Sequence, residues 1–541
     1  MEVVPRATYP FSPEFPIIQI CYPAKSAVPL PLSFGRVNDG RPVTSQTMLF
    51  RLPIELVHEV ITYLDTTDLR SLALADRDCR QLARSRLFAS VVLDYSDAKR
   101  ALLDMLSLHE ARSRRDNGGV TENPSIGACI RRVTVVKQST EVRNRQRRYP
   151  ADDCLGYQDR WADETIFSPC GSYFLDIAKA LRFSLPNLDE FIWEDSASLP
   201  RYMLMAIASS PIRHLGLHYV RLSPDREYQF PLLEQQKWAL RSLDVKVGPH
   251  TGSWELSKLC TSILEAAAPT LEKLTWRDYE EAEMSLGGSI IRFPRLRTLL
   301  IDTIRMPEGR VLESFFPSGA RNCVLRSVSI KVQSSHEGGF LAQRGRIQGL
   351  ESLSLHATSQ SDSTTVDATF LSANPHLKSL TLCGYKPEQL TPRLLPLLAS
   401  NFKFLTTLIL YFAPSMISNR DLPLTAIGLL PSLTSLWIVA RPTYPWTVDV
   451  QQTITALSPL RNLTRLALAR EISPLASIEQ KAPGHKRRMR KIVELYAKMF
   501  GRLRWVYFEF LVHRVVENAV VTEEEFRYYS PEGVWESPDW C

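Results

Sequence analysis

The sequence predicts an α/β protein: a short all-helical module followed by a long solenoid in which strands and helices alternate. Three observations carry this. A dense, cappable helical stretch occupies Leu49–Asp94. After it one phrase, apolar-x-x-apolar-x-apolar, recurs to near the end of the chain. Between its copies lie apolar patterns of helical period, as in Leu256–Ala268, Leu390–Phe402 and Val450–Leu457.

Residues 1–48 hold eight prolines and no sustained period, which predicts a leader that is mostly disordered or draped on the surface. The module proper, residues 49–90, starts at Pro53, where a missing backbone donor costs nothing, and places Glu55 in the first turn, where the helix dipole favours negative charge. Leu52 stands where a capping Ser, Thr, Asp or Asn is expected, which points to contact and not capping. On a helical wheel Pro53, Leu56, Val57, Val60, Ile61 and Leu64 span an arc of about 140°, wide for one small helix. Asp65, Thr66 or Thr67 can cap a second helix carrying Leu69, Leu72, Ala73 and Leu74; Asp76 can cap a third carrying Cys79, Leu82, Ala83 and Leu87. Helices this few bury too little surface to stand alone. The leftover apolar stripe therefore marks a following domain, a binding partner, or both.

The order Leu52-Pro53-x-Glu55-Leu56, then Val60, Ile61 and Leu64, then Asp68-Leu69, Leu72, Leu74, Arg80, Leu82, Ala83 and a closing Leu87-Phe88 resembles an F-box. The match covers about 40 residues. The resemblance implies docking onto the Skp adaptor, and through it a cullin, of a Skp–cullin–F-box ubiquitin ligase. It assigns the adaptor contacts to Leu52, Pro53, Leu56, Val60, Ile61, Leu64, Leu69 and Leu72.

From Trp193 to Leu468 the last apolar member of the phrase returns ten times at steps of between 24 and 31 residues. A period of this size with one short strand per unit resembles leucine-rich repeats, which stack parallel strands on a concave face and helices on a convex one. The solenoid is assigned to residues 91–515, with 516–541 as a cap or tail. Turns at Leu185–Asn187, Asn374–His376 and Leu430–Ser432 restart the strand. The Asn or Cys that regular repeats place after the strand is missing, so the turns must be satisfied by other groups. Longer gaps at Asp94–Cys129, Val136–Asn187 and Ala469–Arg502 read as insertions or loops, with loops near 136–164 and 470–488, the first polar enough to be mobile.

Composition bounds the rest. Hydrophobic content of 44% and charged content of 23% are those of a folded protein, and no apolar run approaches the length of a membrane span. The first residues show no apolar signal core, so cytoplasm or nucleus is expected. The nine cysteines form neither a zinc pattern nor a disulfide framework and are expected to be reduced, mostly buried hydrophobes. A net charge of +7 is too slight to imply nucleic acid. Basic runs at Arg143–Arg148 and Lys486–Lys491 leave an RNA- or polyanion-binding alternative; the second continues into an amphipathic helix through Ile492, Val493, Leu495, Tyr496 and Met499.

There is no P-loop, no Gly-x-Ser-x-Gly elbow and no His-Glu-x-x-His, and His58-Glu59 and His109-Glu110 lack a second histidine. The expectation is no enzyme, no cofactor and no metal. The resemblance implies that this chain selects a protein substrate while its partners do the ubiquitin transfer; a non-degradative scaffold bound to the adaptor is the alternative. Selection would use the concave face, where strand alternation places Arg277, Lys331, His356, Tyr411, Trp437, Trp505 and Tyr507. The aromatic members of that set either meet the target or are covered by the tail Val534–Cys541, which brings Trp535 and Trp540.

Overall fold

In the computed structural model the repeated phrase becomes a ladder. The structure describes residues 33–38, 40–115, 124–136, 169–195, 199–220, 238–247, 253–278, 291–303, 313–316, 324–332, 345–357, 363–412, 422–440, 450–470, 483–508, 511–516 and 519–522. Among them a single open sheet of sixteen strands runs in chain order. Strands β1 (Ser90–Leu93), β2 (Arg132–Val136), β3 (Glu190–Glu194), β4 (His214–His218), β5 (Ser242–Val247), β6 (Lys273–Asp278) and β7 (Thr298–Thr303) are followed by β8 (Ser327–Val332), β9 (Ser352–His356), β10 (Ser379–Tyr385), β11 (Thr407–Phe412), β12 (Ser435–Ala440), β13 (Arg465–Arg470) and β14 (Trp505–Phe508). All of these pair in parallel with their neighbours. Two further strands, β15 (Leu511–Val516) and β16 (Ala519–Thr522), close the end antiparallel. The architecture is a leucine-rich-repeat-like solenoid.

The register places like positions of the phrase side by side. Leu243, Leu274 and Leu299 form one cross-strand row and Val245, Trp276 and Ile301 the next. The leading leucines, such as Leu240, Leu271, Leu350, Leu377 and Leu405, are fully buried behind them. These rows build one continuous core from Val91 to Val520. Helices cover its convex side, among them Ser253–Ala267 and Val450–Leu457, close to where helical periodicity places them, and Ser363–Ala373. The pattern at Leu390–Phe402 begins as a wider π turn through Pro392 before the helix Leu395–Asn401.

Two gaps read as insertions contain long helices instead. Asp97–Arg115 and Pro169–Phe183 pack Leu103, Leu106, Ile177 and Leu181 into the core beneath β1 and β2. They take the convex place that a repeat helix takes elsewhere; their units are longer, which hid them from the period. Within the segment read as a loop near 470–488, residues 483–488 are helical, opening the amphipathic helix Pro483–Met499 that buries Met489, Val493, Tyr496 and Ala497. The loop near 136–164 and residues 471–482 otherwise lie outside the described residues.

The units are joined at the entrance of the strand by a backbone ladder. At each strand entrance two successive N–H groups share one carbonyl of the preceding unit: Glu272 and Lys273 on Arg241, Arg297 and Thr298 on Glu272, Glu351 and Ser352 on Arg326. In the later units threonine hydroxyls join, Thr434 donating to the Thr406 carbonyl at 3.1 Å and Thr464 to that of Thr434 at 2.9 Å. Side chains in the turn before the strand supply the rest. Asn374, fully buried, accepts from the Ile347 N–H at 2.9 Å and donates to the carbonyls of Gly345 and Phe370.

The N-terminal module is three helices, Ile54–Tyr63 (α2), Thr66–Ala75 (α3) and Arg77–Leu87 (α4), preceded by the single turn Phe34–Val37 (α1). Pro53 is the N-cap of α2, so the helix starts at Ile54, one residue later than the sequence suggests, and Leu52 stands outside it. Asp65, of the three candidates, caps α3 by accepting from the N–H groups of Thr67 and Asp68; Asp76 caps α4 by accepting from Cys79. Part of the leader, residues 33–38 and 40–48, is a strap packed on the module: Phe34 and Val37 are buried. Buried Asp78 holds the strap, accepting from the N–H groups of Thr44 and Ser45 at 2.6 and 2.7 Å and from the Thr44 hydroxyl. Residues 1–32 lie outside the described residues.

Two predictions follow from these buried polar anchors. Asn374→Ala leaves buried backbone groups unpaired and should lower the unfolding free energy by about 2–3 kcal/mol, against less than about 1 kcal/mol for exposed Asn462→Ala, compared by urea denaturation followed by circular dichroism. Asp78→Ala should release the strap, seen as trypsin cleavage at Arg41 roughly tenfold faster than in the wild type with the helical signal retained.

Candidate protein-interaction surfaces

The wide apolar arc of α2 resolves into two faces. Val57 and Ile61 point inward and, with Phe34, Leu69, Leu82 and Ala83, form the core of the module; Leu64 and Leu72 pack half-buried against it. Each such buried aliphatic side chain contributes about 1.5–3 kcal/mol. Leu52, Leu56 and Val60 point outward and are 43%, 46% and 41% exposed, with Tyr63 further along the same helix at 81%. Pro53 is also exposed. Of the eight residues assigned to adaptor contact, Leu52, Pro53, Leu56 and Val60 therefore share one outward surface. Ile61 and Leu69 are core residues that hold the helices beneath it, because the i, i+4 spacing that sets Leu56 beside Val60 sets Val57 beside Ile61 one residue round the helix.

The module is tied to the solenoid. The Gln81 amide donates to the carbonyls of Val37 and Ser125 at 2.7 and 3.0 Å, Arg131 reaches the Ser85 carbonyl, and Arg36 meets Asn187 at 2.9 Å. Gly127 sits so close to the Ser184 carbonyl that a Cβ there would lie 1.9 Å from its oxygen. Strap, α4 and the first solenoid units thus interlock.

The concave surface of the sheet divides into two zones. In the first, His218 of β4 lies between carboxylates of the flanking strands: Nδ1 is 3.1 Å from Glu194 of β3 and Nε2 is 3.1 Å from Asp244 of β5. Burial opposes the charge on His218, but the hydrogen bonds to Asp244 and Glu194 outweigh it and hold the imidazole above its ordinary 6.5. Glu194 is held low, first by the hydrogen bond from His218; Asp244 is low because His218, Lys246 and Arg277 outweigh its burial. Arg277 is part of this field, one strand beyond Asp244. Lys331 lies opposite Asp302 in the sheet, its side chain outside the described residues; the His356 ring is 3.2 Å from the Ser354 hydroxyl. Glu194 and His218 stand in the sequence just after their motifs, but their union with Asp244 depends on the register of three strands whose spacings are 24 and 28 residues, a signal visible only once the phrase is aligned.

The second zone is aromatic. Trp437 of β12 is 1% exposed, not open to solvent as its strand position suggests. Tyr507 of β14 reaches across Ala467 of β13 and stacks on it at 6.0 Å with 15° between the rings. Trp505 joins the same cluster and carries Arg514 of β15 5.7 Å above its ring. Tyr411 of β11 pairs in register with Val439 at the margin and is half-buried. The small side chain of Ala467 is what lets the rings of β12 and β14 meet.

Among the described residues no group of His, Cys, Asp and Glu is arranged to hold a metal ion and no helix is long and apolar enough to cross a membrane. Among the described residues Cys79, Cys129 and Cys260 are buried and Cys383 half-buried, all outside disulfides. Neither protein-family models nor curated proteins give a match to this chain. Among solved structures, the crystal structure of a TLR13–ssRNA13 complex is similar over 53% of this chain and 50% of that one, at 13% identity and a TM-score of 0.23. The chain thus spans about half the length of that structure, and the likeness adds nothing to the fold that the sheet itself displays.

The Glu194–His218–Asp244 cluster makes a pH-dependent contribution with a defined window. The raised His218 contributes fully below about 6.5 and loses its contribution as pH rises through the folded value; the lowered carboxylates contribute above about 4 and lose it on acidification. His218→Ala should therefore cost more stability at pH 5.5 than at pH 8, measured by urea denaturation at both. Equal costs would show the cluster to be uncoupled from folding.

Proposed function

We propose that this chain is a substrate receptor of a Skp–cullin–F-box ubiquitin ligase. The helical module is the F-box, its outward stripe Leu52, Leu56 and Val60 is the face for the Skp adaptor, and the concave face of the solenoid selects a target protein. The observation that supports this most is the division of α2 into an inward core row and an outward apolar row, on a module whose motif order resembles an F-box. An aliphatic row left outside a small folded unit is unfavourable in water and favours a partner that covers it.

In this reading the chain performs no chemistry. Transfer belongs to partner subunits, and the receptor acts by raising the effective concentration of target beside them. The interlocked joint through Gln81, Arg131 and Arg36 suits that role, since a receptor that hinged freely would spread its target over a larger volume.

Leu56→Arg tests the reading. The side chain is outside the module core, so the fold should be retained by circular dichroism, while affinity for purified Skp adaptor should fall at least about thirtyfold, close to 2 kcal/mol, in titration calorimetry. Wild-type protein with no measurable affinity at micromolar adaptor would end the proposal. Cullin co-purifying with the tagged wild-type chain separates a ligase receptor from an adaptor-bound scaffold.

A further inference from the structure

The last helix, Pro483–Met499, buries Met489, Val493, Tyr496 and Ala497 against the solenoid and turns its other side to water. At 100° per residue Arg487, Lys498, Lys491, Leu495, Arg488 and Met499 follow one another across an outward arc of about 120°. All six are exposed, Leu495 at 48% and Met499 at 53%. Two apolar side chains thus stand in water among four cations. Glu494, paired with Arg490 at 3.3 Å, is the one acid among the described residues from 450 to 522, and the sequence of that stretch holds thirteen Lys and Arg against five Glu. At Met499 the stripe meets the edge of the ladder where strands begin. Leu429 precedes Leu433 by four residues as Met499 precedes Leu503, and Phe404 directly precedes Leu405 as Arg502 precedes Leu503; Leu429 is 61% and Phe404 65% exposed. The register from β14 back to β11 therefore carries exposed apolar side chains along this edge for about 14 Å.

We propose that this surface binds an anionic phospholipid bilayer peripherally, with its cations on the headgroup phosphates and Leu495, Met499, Leu429 and Phe404 at the acyl boundary. A bilayer interface satisfies both kinds of side chain at once, since it offers negative charge at its surface and apolar depth just beneath. Single-stranded RNA would pair with the cations and leave the apolar side chains in water, and an outward stripe on the convex side gives an acidic peptide no groove to enter. This goes beyond the receptor reading and does not depend on adaptor binding. Combined with that reading, it directs selection toward targets that lie on the same membrane.

The test is co-sedimentation of the full chain with vesicles of phosphatidylcholine alone or with about 30% phosphatidylserine. Binding to the charged vesicles should be at least about tenfold tighter than to the neutral ones and should weaken as salt is raised. The double variant Lys491→Glu, Lys498→Glu should reduce it at least about tenfold and Leu495→Gln, Met499→Gln at least about threefold, each with unchanged circular dichroism. No binding, equal binding to both vesicles, or indifference to either double variant would overturn the proposal. So would binding to single-stranded oligouridylate in place of vesicles, lost on the charge reversals and kept by Leu495→Gln, Met499→Gln, which would make the face an RNA site. As a second measurement, the photo-crosslinker p-benzoylphenylalanine in place of Leu495 should crosslink to phospholipid in the charged vesicles, and in place of Leu108, 60% exposed at the other end of the ladder, should not; equal crosslinking from both positions also overturns it. Leu56→Arg separates the two readings, because it should leave vesicle binding unchanged.

Discussion

The structure depends on one constraint: no repeat can bury its own apolar face, so each must dock on the unit before it in fixed register. A strand of five or six residues with three inward apolar side chains has no core of its own. It acquires one by sharing a backbone carbonyl of its predecessor through two N–H groups, at the step from Arg241 to Glu272 and Lys273 as at the step from Arg326 to Glu351 and Ser352. That contact involves no particular side chain. This is why the units tolerate Arg, Glu, Lys or Thr at the same place and why steps of 24 to 31 residues still align.

Because order in space equals order in sequence, much of the molecule could be read before it was seen. The phrase fixes the face of every strand, since a shift of one residue would turn Leu243 and Val245 outward and Asp244 inward. What periodicity could not give were features set by partners distant in sequence. The helices Asp97–Arg115 and Pro169–Phe183 were hidden by the length of their units, and the strap was hidden by its lack of any period, because its order comes from Asp78, thirty-three and thirty-four residues away from the groups it binds. Trp437 lies on the face that alternation gives it, but alternation does not tell that Tyr507, seventy residues later, will lean over Ala467 to meet it. In α2, too, wheel geometry gave one broad arc, and only the positions of α3, α4 and Phe34 decided which half of it became core.

The same logic explains where polar chemistry collects. Parallel neighbours bring equal positions of successive strands to about 4.8 Å, so charges from residues 24 to 30 apart in sequence are forced together. Where they are opposite, as Glu194, His218 and Asp244 are, the sheet gains a charge-assisted network that fixes side-chain orientation; Arg132 and Glu190 do the same at the first positions of β2 and β3. Such pairs on half-covered strands contribute modestly to stability. Their larger effect is to commit the N-terminal part of the concave face to a defined pattern of charge.

The two zones of the concave face therefore differ in kind. The charged zone is already satisfied by its own partners, so a ligand there gains only if it offers hydrogen bonds as good as those it displaces. In the aromatic zone Ile409, Trp437 and Ala467 are already buried and only the half-buried Trp505 and Tyr507 keep apolar area to cover, at about 25 cal/mol per Å². With the helical module locked to the first units and the aromatic cluster on β12 to β14, the outward aliphatic row and the aromatic cluster lie at opposite ends of one ladder whose neighbours share a continuous core.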